Sequence, residues 1–317
     1  MTTIDLLLAC ALDAAVGDPR WLPHPVRGMS HLIVWFERAI RSAWTGPGAL
    51  RVAGIALALG LPLFAFLLGD TLITAGAVID ERVGRGVGIF LACTTLAWRD
   101  LVDHVGAVIG SLKTGSLANA RNAVSLIVGR DTDRLSEPEL VRATIETIAE
   151  SASDGVIAPL LYLAVGGAPL ALAYKAVSTL DSMVGHRNDQ YRDFGWASAR
   201  LDDLVNWIPA RVTAALTVVA AGFSMQGMRC AVRSASVFWR DGHKHPSPNS
   251  GRPEAAMAGA LGIQLGGLNF YDGLPSERPR LGDEGETLAV KHIAQAKRTM
   301  TIAYLFAVAG VAGLLWK

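Results

Sequence analysis

Apolar runs alternate with long polar sections along this chain. The runs fall near 3–16, 52–79, 86–98, 155–174, 212–228 and 299–316. A membrane-crossing helix needs about 20 apolar residues, with a range of about 17–25. Val52 to Gly69 is uncharged, and Thr71 to Ile79 continues it past a lone Asp70. Val212–Met228 and Thr299–Trp316 are clean spans by the same measure. Gly86–Trp98 is shorter and follows a break at "DERVGR". Gly155–Tyr174 is uncharged but interrupted by Pro159, Gly166, Gly167 and Pro169. The run Thr3–Val16 carries Asp13 and lacks both a basic start and a small-residue cleavage site. It therefore reads as an anchoring or half-spanning helix rather than a signal peptide. The pattern predicts an all-α, multi-pass membrane protein with residues 1–317 as one catalytic domain. Polar loops and short amphipathic helices fill 17–51, 99–154, 175–211 and 229–298.

One polar helix is sharply marked. Ser136-Glu137-Pro138-Glu139 is a capping box with proline in the first turn. Val141, Ile145, Ile148 and Ala152 follow as an apolar stripe, and Arg142, Glu146, Glu150 and Asp154 as a charged one at four-residue spacing.

Composition agrees with the membrane reading. Charged residues make up 18% of the chain and mean hydropathy is +0.34, against roughly 25% charge in soluble domains. The net charge of +1 gives no reason to expect nucleic acid. Cys10, Cys93 and Cys230 have no paired spacing and read as small hydrophobes, not as a disulfide or zinc framework. The 29 Lys and Arg sort by section: five in 18–51, two in 80–85, six in 99–154, five in 175–211 and ten in 229–298. The positive-inside rule puts 18–51, 99–154 and 229–298 in the cytoplasm and 80–85 outside. Section 175–211 stays inside if its flanking runs are re-entrant or lie within a bundle. The glycine-broken 155–174 favours that arrangement, because irregular backbone survives at membrane depth only when protein buries it.

The polar sections carry the candidate chemistry. Glu146, Glu150 and Asp154 suit Mg²⁺, which takes a few carboxylates plus phosphate oxygens; the plain alternative is a solvated helix face. In "YKAVSTLDSMVGHRNDQYRDFGWASARLDDLVNWIPAR", Asp181, Asp202 and Asp203 could hold metal while the basic residues meet phosphates. Snorkelling accounts for arginines at a lipid rim, but not for adjacent aspartates. "HKHPSPNSGRPEAAMAGALGIQLGG" is a broken loop feeding a helix start at Pro253, an anion-favouring N-terminus reinforced by Arg252. Gly262 and Gly266 predict a GxxxG packing face, and His243 and His245 read as solvated loop residues. No Walker A sequence occurs.

Taken together, "GDPRWLPHPV", "IVGRDTDRL", "RATIETIAESASDGVIAPLLY", "YKAVSTLDSMVGH", "ARLDDLVNWIPARVTA" and "SPNSGRPEAAMAGALGIQLGG" resemble the adenosylcobinamide-phosphate synthase family. The resemblance runs from about residue 4 to about 310. Ser151 and Ser30 depart from it, standing where the family pattern has asparagine and glycine. The resemblance implies an amide ligase of the cytoplasmic membrane, its site facing the cytoplasm. It would join aminopropanol or its phosphate to the last free propionate of adenosylcobyric acid, using ATP and Mg²⁺. Besides those substrates, the expected partners are the lipid bilayer and a second copy of the chain. On this reading Asp181, Asp202 and Asp203 hold Mg²⁺, with Glu146, Glu150 and Asp154 as a second group. Arg130, Lys175, Arg200 and Arg211 meet phosphate, and Ser247, Asn249 and Ser250 hold an anionic substrate. Asp18, Arg20 and His24 close the site. The rival readings are a polytopic transporter, with ionisable groups inside its spans, and a Mg²⁺-dependent membrane phosphotransferase acting on an alcohol.

Overall fold

The computed structural model describes residues 1–19, 21, 24–186, 188–223 and 227–316. These form two compact units: Met1–Ala97, Ala158–Asn206 and Gly310–Lys317 in one, Trp98–Ile157 and Trp207–Ala309 in the other. All but two of the elements are helical.

The first unit begins with α1 (Thr3–Val16), started by a reciprocal capping box between Thr2 and Asp5. It continues with α2 (Pro25–Ala43), α3 (Pro47–Ile79) and α4 (Glu81–Cys93). The predicted runs 52–69 and 71–79 are one helix, with Asp70 simply carried along. Asp80 ends α3 and caps α4, accepting the Arg82 N–H at 2.7 Å. The "DERVGR" break is thus a sharp turn, and the helix after it starts five residues before the expected run. α4 stops at Cys93, so 86–98 is no single span; Trp98 begins the next helix. α8 (Ala158–Val184) breaks at Gly166 and Gly167, where Gly167 has a φ of 65° that a side chain would oppose. The glycine-broken character of 155–174 is therefore real backbone geometry. α9 (Trp196–Val205) follows a turn in which Gly195 is forced, because a Cβ there would lie 1.6 Å from the Val184 carbonyl.

The second unit holds α5 (Trp98–Lys113), α6 (Leu117–Ser125), α7 (Glu137–Ser151), α10 (Trp207–Gly222), α11 (Met228–Asp241) and α12 (Gly251–Leu261). A π-helical turn, Ala152–Ile157, follows α7. The capping box forms as expected, Glu139 taking both the Ser136 N–H at 2.8 Å and its hydroxyl at 2.6 Å. α12 is buried almost throughout, its alanines letting α11 approach: Ser234 Oγ donates to the Ala256 carbonyl at 2.7 Å. The helix ends with Gly262 in the left-handed region, and an antiparallel hairpin follows, β1 (Leu265–Tyr271) and β2 (Leu274–Leu281). The GxxxG expectation is overturned: Gly262 is a helix cap and Gly266 a strand residue with φ 83°. The hairpin turns at Asp272 and Gly273, both at positive φ as a tight two-residue hairpin turn requires. Asp131 accepts both turn N–H groups, at 3.2 and 2.7 Å.

α13 (Val290–Leu315) runs out of the second unit, its last residues belonging to the first. Among the described residues three helical segments are long and apolar enough to cross a membrane: Pro47–Ile79, Glu137–Val184 and Val290–Leu315. α9 and α10 qualify only as a bent pair. The run 212–228 is therefore not a span by itself, since α10 has 16 residues and ends at Gly222. This is an all-α, multi-pass membrane protein with one small hairpin.

Candidate functional site

α7 turns its charged stripe toward the interior of the second unit. Arg142 and Glu146 are buried while Glu150 is exposed, so a solvated face describes only the end of the stripe. Arg142 donates to the carbonyls of Gly266 and Leu268 and, at 3.1 Å, to Asn269 Oδ1. Glu146 accepts the Gly266 N–H at 2.8 Å and Arg130 at 2.5 Å; Arg130 also donates to Asn269 Oδ1 at 2.7 Å. Arg130 and Glu146 are 11% and 7% exposed. Removing one partner of such a buried pair costs about 3–5 kcal/mol. Arg130 is thus committed to Glu146 and the hairpin, and Asp154 sits half-buried in the π turn, where the wider helix breaks the four-residue register.

The segment between α11 and α12 folds back onto this stripe. Ser247 Oγ accepts the N–H groups of Asn249 and Ser250 at 3.3 Å each, and Ser250 Oγ donates to Glu150 Oε1 at 3.1 Å. Ser250 stands at the helix N-cap without its side chain capping it. Gly251 is required there, since a Cβ would come within 2.4 Å of His245. His245 corrects the solvated expectation: it is buried, its Nδ1 takes the Ser247 N–H at 3.0 Å, and Arg278 Nη1 lies 2.6 Å from its Nε2. Burial and then the Arg278 charge pull its pKa down to about 4. Glu254, one turn into α12, is 6% exposed. Burial pushes its carboxyl well above the ordinary range, and the charges of Glu146 and Glu150 add to this against Arg278 and Arg130. Five predicted residues, Glu146, Glu150, Ser247, Asn249 and Ser250, therefore share one neighbourhood with Arg130. Sequence reasoning missed Glu254, His245, Asn269 and Arg278. Glu254 looks like any acid favoured in a first helical turn. Arg211 stays on α10, donating to its own Trp207 carbonyl at 2.6 Å and stacking 4.0 Å over that ring.

The first unit gathers a second set. A cavity of about 420 Å³ is lined by Asp18, His24, Arg27, Thr94 and Lys175 together with apolar Val26, Leu96 and Ala97. His24 caps α2 through Nδ1, which takes the Val26 N–H at 3.3 Å, and its Nε2 lies 3.0 Å from Asp18. Arg20 lies outside the described residues. The adjacent aspartates of α9 part company, as residues 100° apart on a helix must. Asp202 accepts Asn206 Nδ2 at 2.9 Å, and Asn206 in turn accepts the Tyr174 hydroxyl at 2.9 Å. Asp203 is 3.9 Å from Arg200. Asp181 folds over the α8 C-terminus, where Gly185 leaves room for its carboxylate.

Comparison with known proteins decides what these residues belong to. The sequence profile of the CobD/Cbib protein family matches residues 6–300. The chain belongs to the CobD/Cbib family. Among its relatives, "Cobalamin biosynthesis protein CobD" of Geobacter metallireducens is 50% identical over 287 residues, 88% of this chain and 86% of that protein. The protein of the same name in Halalkalibacterium halodurans is 42% identical, covering 97% of this chain and 96% of its own. "Cobalamin biosynthesis protein CbiB" of Salmonella typhimurium is 42% identical, covering 98% and 96%. No solved structure matches the chain. Both residue sets lie inside the stretch that matches the CobD/Cbib family.

Among the described residues of this CobD/Cbib chain, no three His, Cys, Asp or Glu side chains form a group able to hold a metal. Neither Asp181, Asp202 and Asp203 nor Glu146, Glu150 and Asp154 is a preformed metal cage. What the second-unit set offers instead is a tightly bonded helix start, the N–H groups of Asn249 and Ser250 taken by Ser247 Oγ and that of Arg252 by the Asn249 carbonyl, beside carboxylates of which Glu150 is exposed.

Proposed function

We propose that this protein is a membrane enzyme of cobalamin biosynthesis that makes an amide bond at the expense of ATP. It joins aminopropanol or its O-phosphate to the remaining propionate carboxylate of adenosylcobyric acid, giving adenosylcobinamide or its phosphate. Membership of the CobD/Cbib family, with relatives named as cobalamin biosynthesis proteins, supports the corrinoid half of this reading. The observation that carries the nucleotide half is the meeting of Glu150 with Ser250 at the start of α12. The positive end of the α12 dipole favours phosphate, and a nearby exposed carboxylate suits the Mg²⁺ that accompanies ATP.

A carboxylate is a poor acyl donor, so two steps are needed. A propionate oxygen attacks the γ-phosphorus of ATP, ADP leaves, and an acyl phosphate forms. The neutral amine then attacks the acyl carbon, inorganic phosphate leaves, and one amine proton is released. Bound together with ATP, Mg²⁺ would offset the charge of the phosphates and would draw on one or two carboxylates of the protein. Glu150 is the best-placed ligand, because Glu146 is held by Arg130 and the Gly266 N–H. Ser247, Asn249 and Ser250 bind and orient phosphate at the loop. Asp18, His24 and Lys175, brought to one cavity, position the smaller substrate. A volume of about 420 Å³ is ample for a small amino alcohol. The richness of 229–298 in Lys and Arg supports a cytoplasmic site.

The test uses purified protein in nanodiscs with ATP, Mg²⁺, adenosylcobyric acid and each amine. Mass spectrometry should find the amide, with one ADP and one phosphate released per product. A phosphorylated alcohol without amide would mark a phosphotransferase. Absence of ATP consumption during amide formation would remove the acyl phosphate.

A further inference from the structure

α11 buries Cys230, Ser234, Val237 and Asp241 and leaves an apolar face outside. Met228, Val232 and Trp239 are 73%, 64% and 73% exposed. At 100° per residue they fall within about 40° of one line along the helix. A helix meeting only water would carry polar groups there; a Met, Val and Trp stripe flanked by arginine is the pattern of a helix lying in a membrane interface.

Its surroundings identify the occupant of that face. α11 follows α10 after a short connection, and Phe223, at the end of α10, is 60% exposed and sits 5.2 Å from the ring of Phe306. Phe306 belongs to α13, one of the apolar candidate spans, whose neighbouring Leu305 is 58% exposed. The α11 stripe therefore begins beside an exposed apolar surface of a candidate span. Its 14 residues reach about 21 Å, short of the roughly 30 Å hydrocarbon core, and Arg229, Arg233 and Arg240 punctuate it. At that length the helix is too short to cross a membrane by itself.

Beside the stripe is a cavity of about 480 Å³, lined by Met228, Arg229, Val232, Arg233, Ser236, Val237 and Asp283. Its chemistry is two guanidiniums over an aliphatic wall. Arg233 is anchored on the carbonyls of Gly259 and Ala260 in the last turn of α12, at 2.6 and 3.1 Å, and forms no ion pair among the described residues. The lone carboxylate, Asp283, is already paired with Arg240 at 2.8 Å.

We propose that α11 is an interfacial helix whose Met228, Val232 and Trp239 stripe enters the acyl region, and that the Arg229–Arg233 cavity holds the headgroup phosphate of an anionic phospholipid. The arginines recognise charge and the aliphatic wall receives the upper acyl chain. The proposal does not depend on the reaction the enzyme catalyses.

The test has two arms on the full chain in nanodiscs of equimolar phosphatidylcholine and phosphatidylglycerol. In a variant with its native cysteines replaced, spin labels at Val232→Cys and at the exposed loop position His243→Cys are compared. The label at 232 should collide with oxygen and be shielded from a water-soluble nickel reagent, and the label at 243 should do the reverse. Equal nickel access at both positions overturns the interfacial helix. In the second arm, native mass spectrometry should find phosphatidylglycerol retained over phosphatidylcholine. Arg229→Gln should reduce that preference roughly fivefold, the effect of one basic residue at an anionic surface. Equal retention of both lipids by the wild-type protein, or displacement of the lipid by millimolar inorganic phosphate, overturns the lipid site.

Discussion

His245 illustrates how surroundings set the chemistry of one side chain. Burial and the facing Arg278 hold its pKa near 4, against 6.5 for a free imidazole. Between those values the unfolded chain takes up a proton that the folded chain refuses, so stability is present above pH 6.5 and is lost as pH falls toward 4. The loss amounts to up to about 3 kcal/mol. The stability of wild type relative to His245→Gln should therefore fall by up to about 3 kcal/mol between pH 7 and pH 4, read by thermal unfolding; a constant difference would mean the ring is protonated freely. The aspartates of α9 allow a different prediction. Asp202 anchors a chain of hydrogen bonds through Asn206 to Tyr174, while Asp203 faces Arg200. Asp202→Asn with Asp203→Asn should leave inserted, folded protein whose ligation rate drops by roughly 10²-fold or more, if these charges act on the transition state. Normal activity and Mg²⁺ dependence in the double variant would reduce the pair to local structure.

At the scale of elements, the segment Pro246–Arg252 and the start of α12 form a single device. Ser247 organises the turn, Ser250 reaches across to α7, and Gly251 permits the close approach of His245. No carboxylate lies between Lys244 and Arg252 in the sequence, so the loop itself does not repel an anion. Replacing Ser247 and Asn249 with alanine should raise KM for ATP or for the amino-alcohol phosphate by roughly 10–150-fold per lost charge-assisted hydrogen bond, with Mg²⁺ affinity little changed. If KM for each substrate holds while only the yield of folded protein falls, the loop is structural. The hairpin is the partner element: it supplies Gly266, Asn269 and Arg278, and α7 is tied to it by Arg142 and Glu146.

At the scale of the whole molecule, charge distribution predicts sidedness. Single cysteines in 99–154, 175–211 and 229–298 of a cysteine-free variant should be labelled by an impermeant thiol reagent only from the cytoplasmic side. Cys10, Cys93 and Cys230 are all buried, so their removal requires packing-conserving replacements. External labelling of 175–211 would mean that the glycine-broken α8 crosses completely, and that the α9–α10 pair does so too.

Much of this protein is legible in one dimension. The long apolar stretches of α3 and α13, the Ser136 capping box, the break at Gly166 and Gly167 and the start of α12 are local events, written by hydropathy, caps and glycine in neighbouring residues. The Asp272–Gly273 turn is also a legible hairpin signal, but Gly266 and Gly267 dilute the alternation before it, and the small-residue run reads as helix. What the sequence could not reveal is which groups face one another across long separations. Glu146 meets Gly266 over 120 positions and Ser250 meets Glu150 over 100. Lys175 reaches the cavity of Asp18 and His24 from another helix. The protonation of Glu254 and His245 depends on burial and on charges brought near by folding. Periodicity tells which side of a helix is turned inward; only the tertiary structure decides what that side meets, because desolvation and Coulomb interactions act through space and not along the chain.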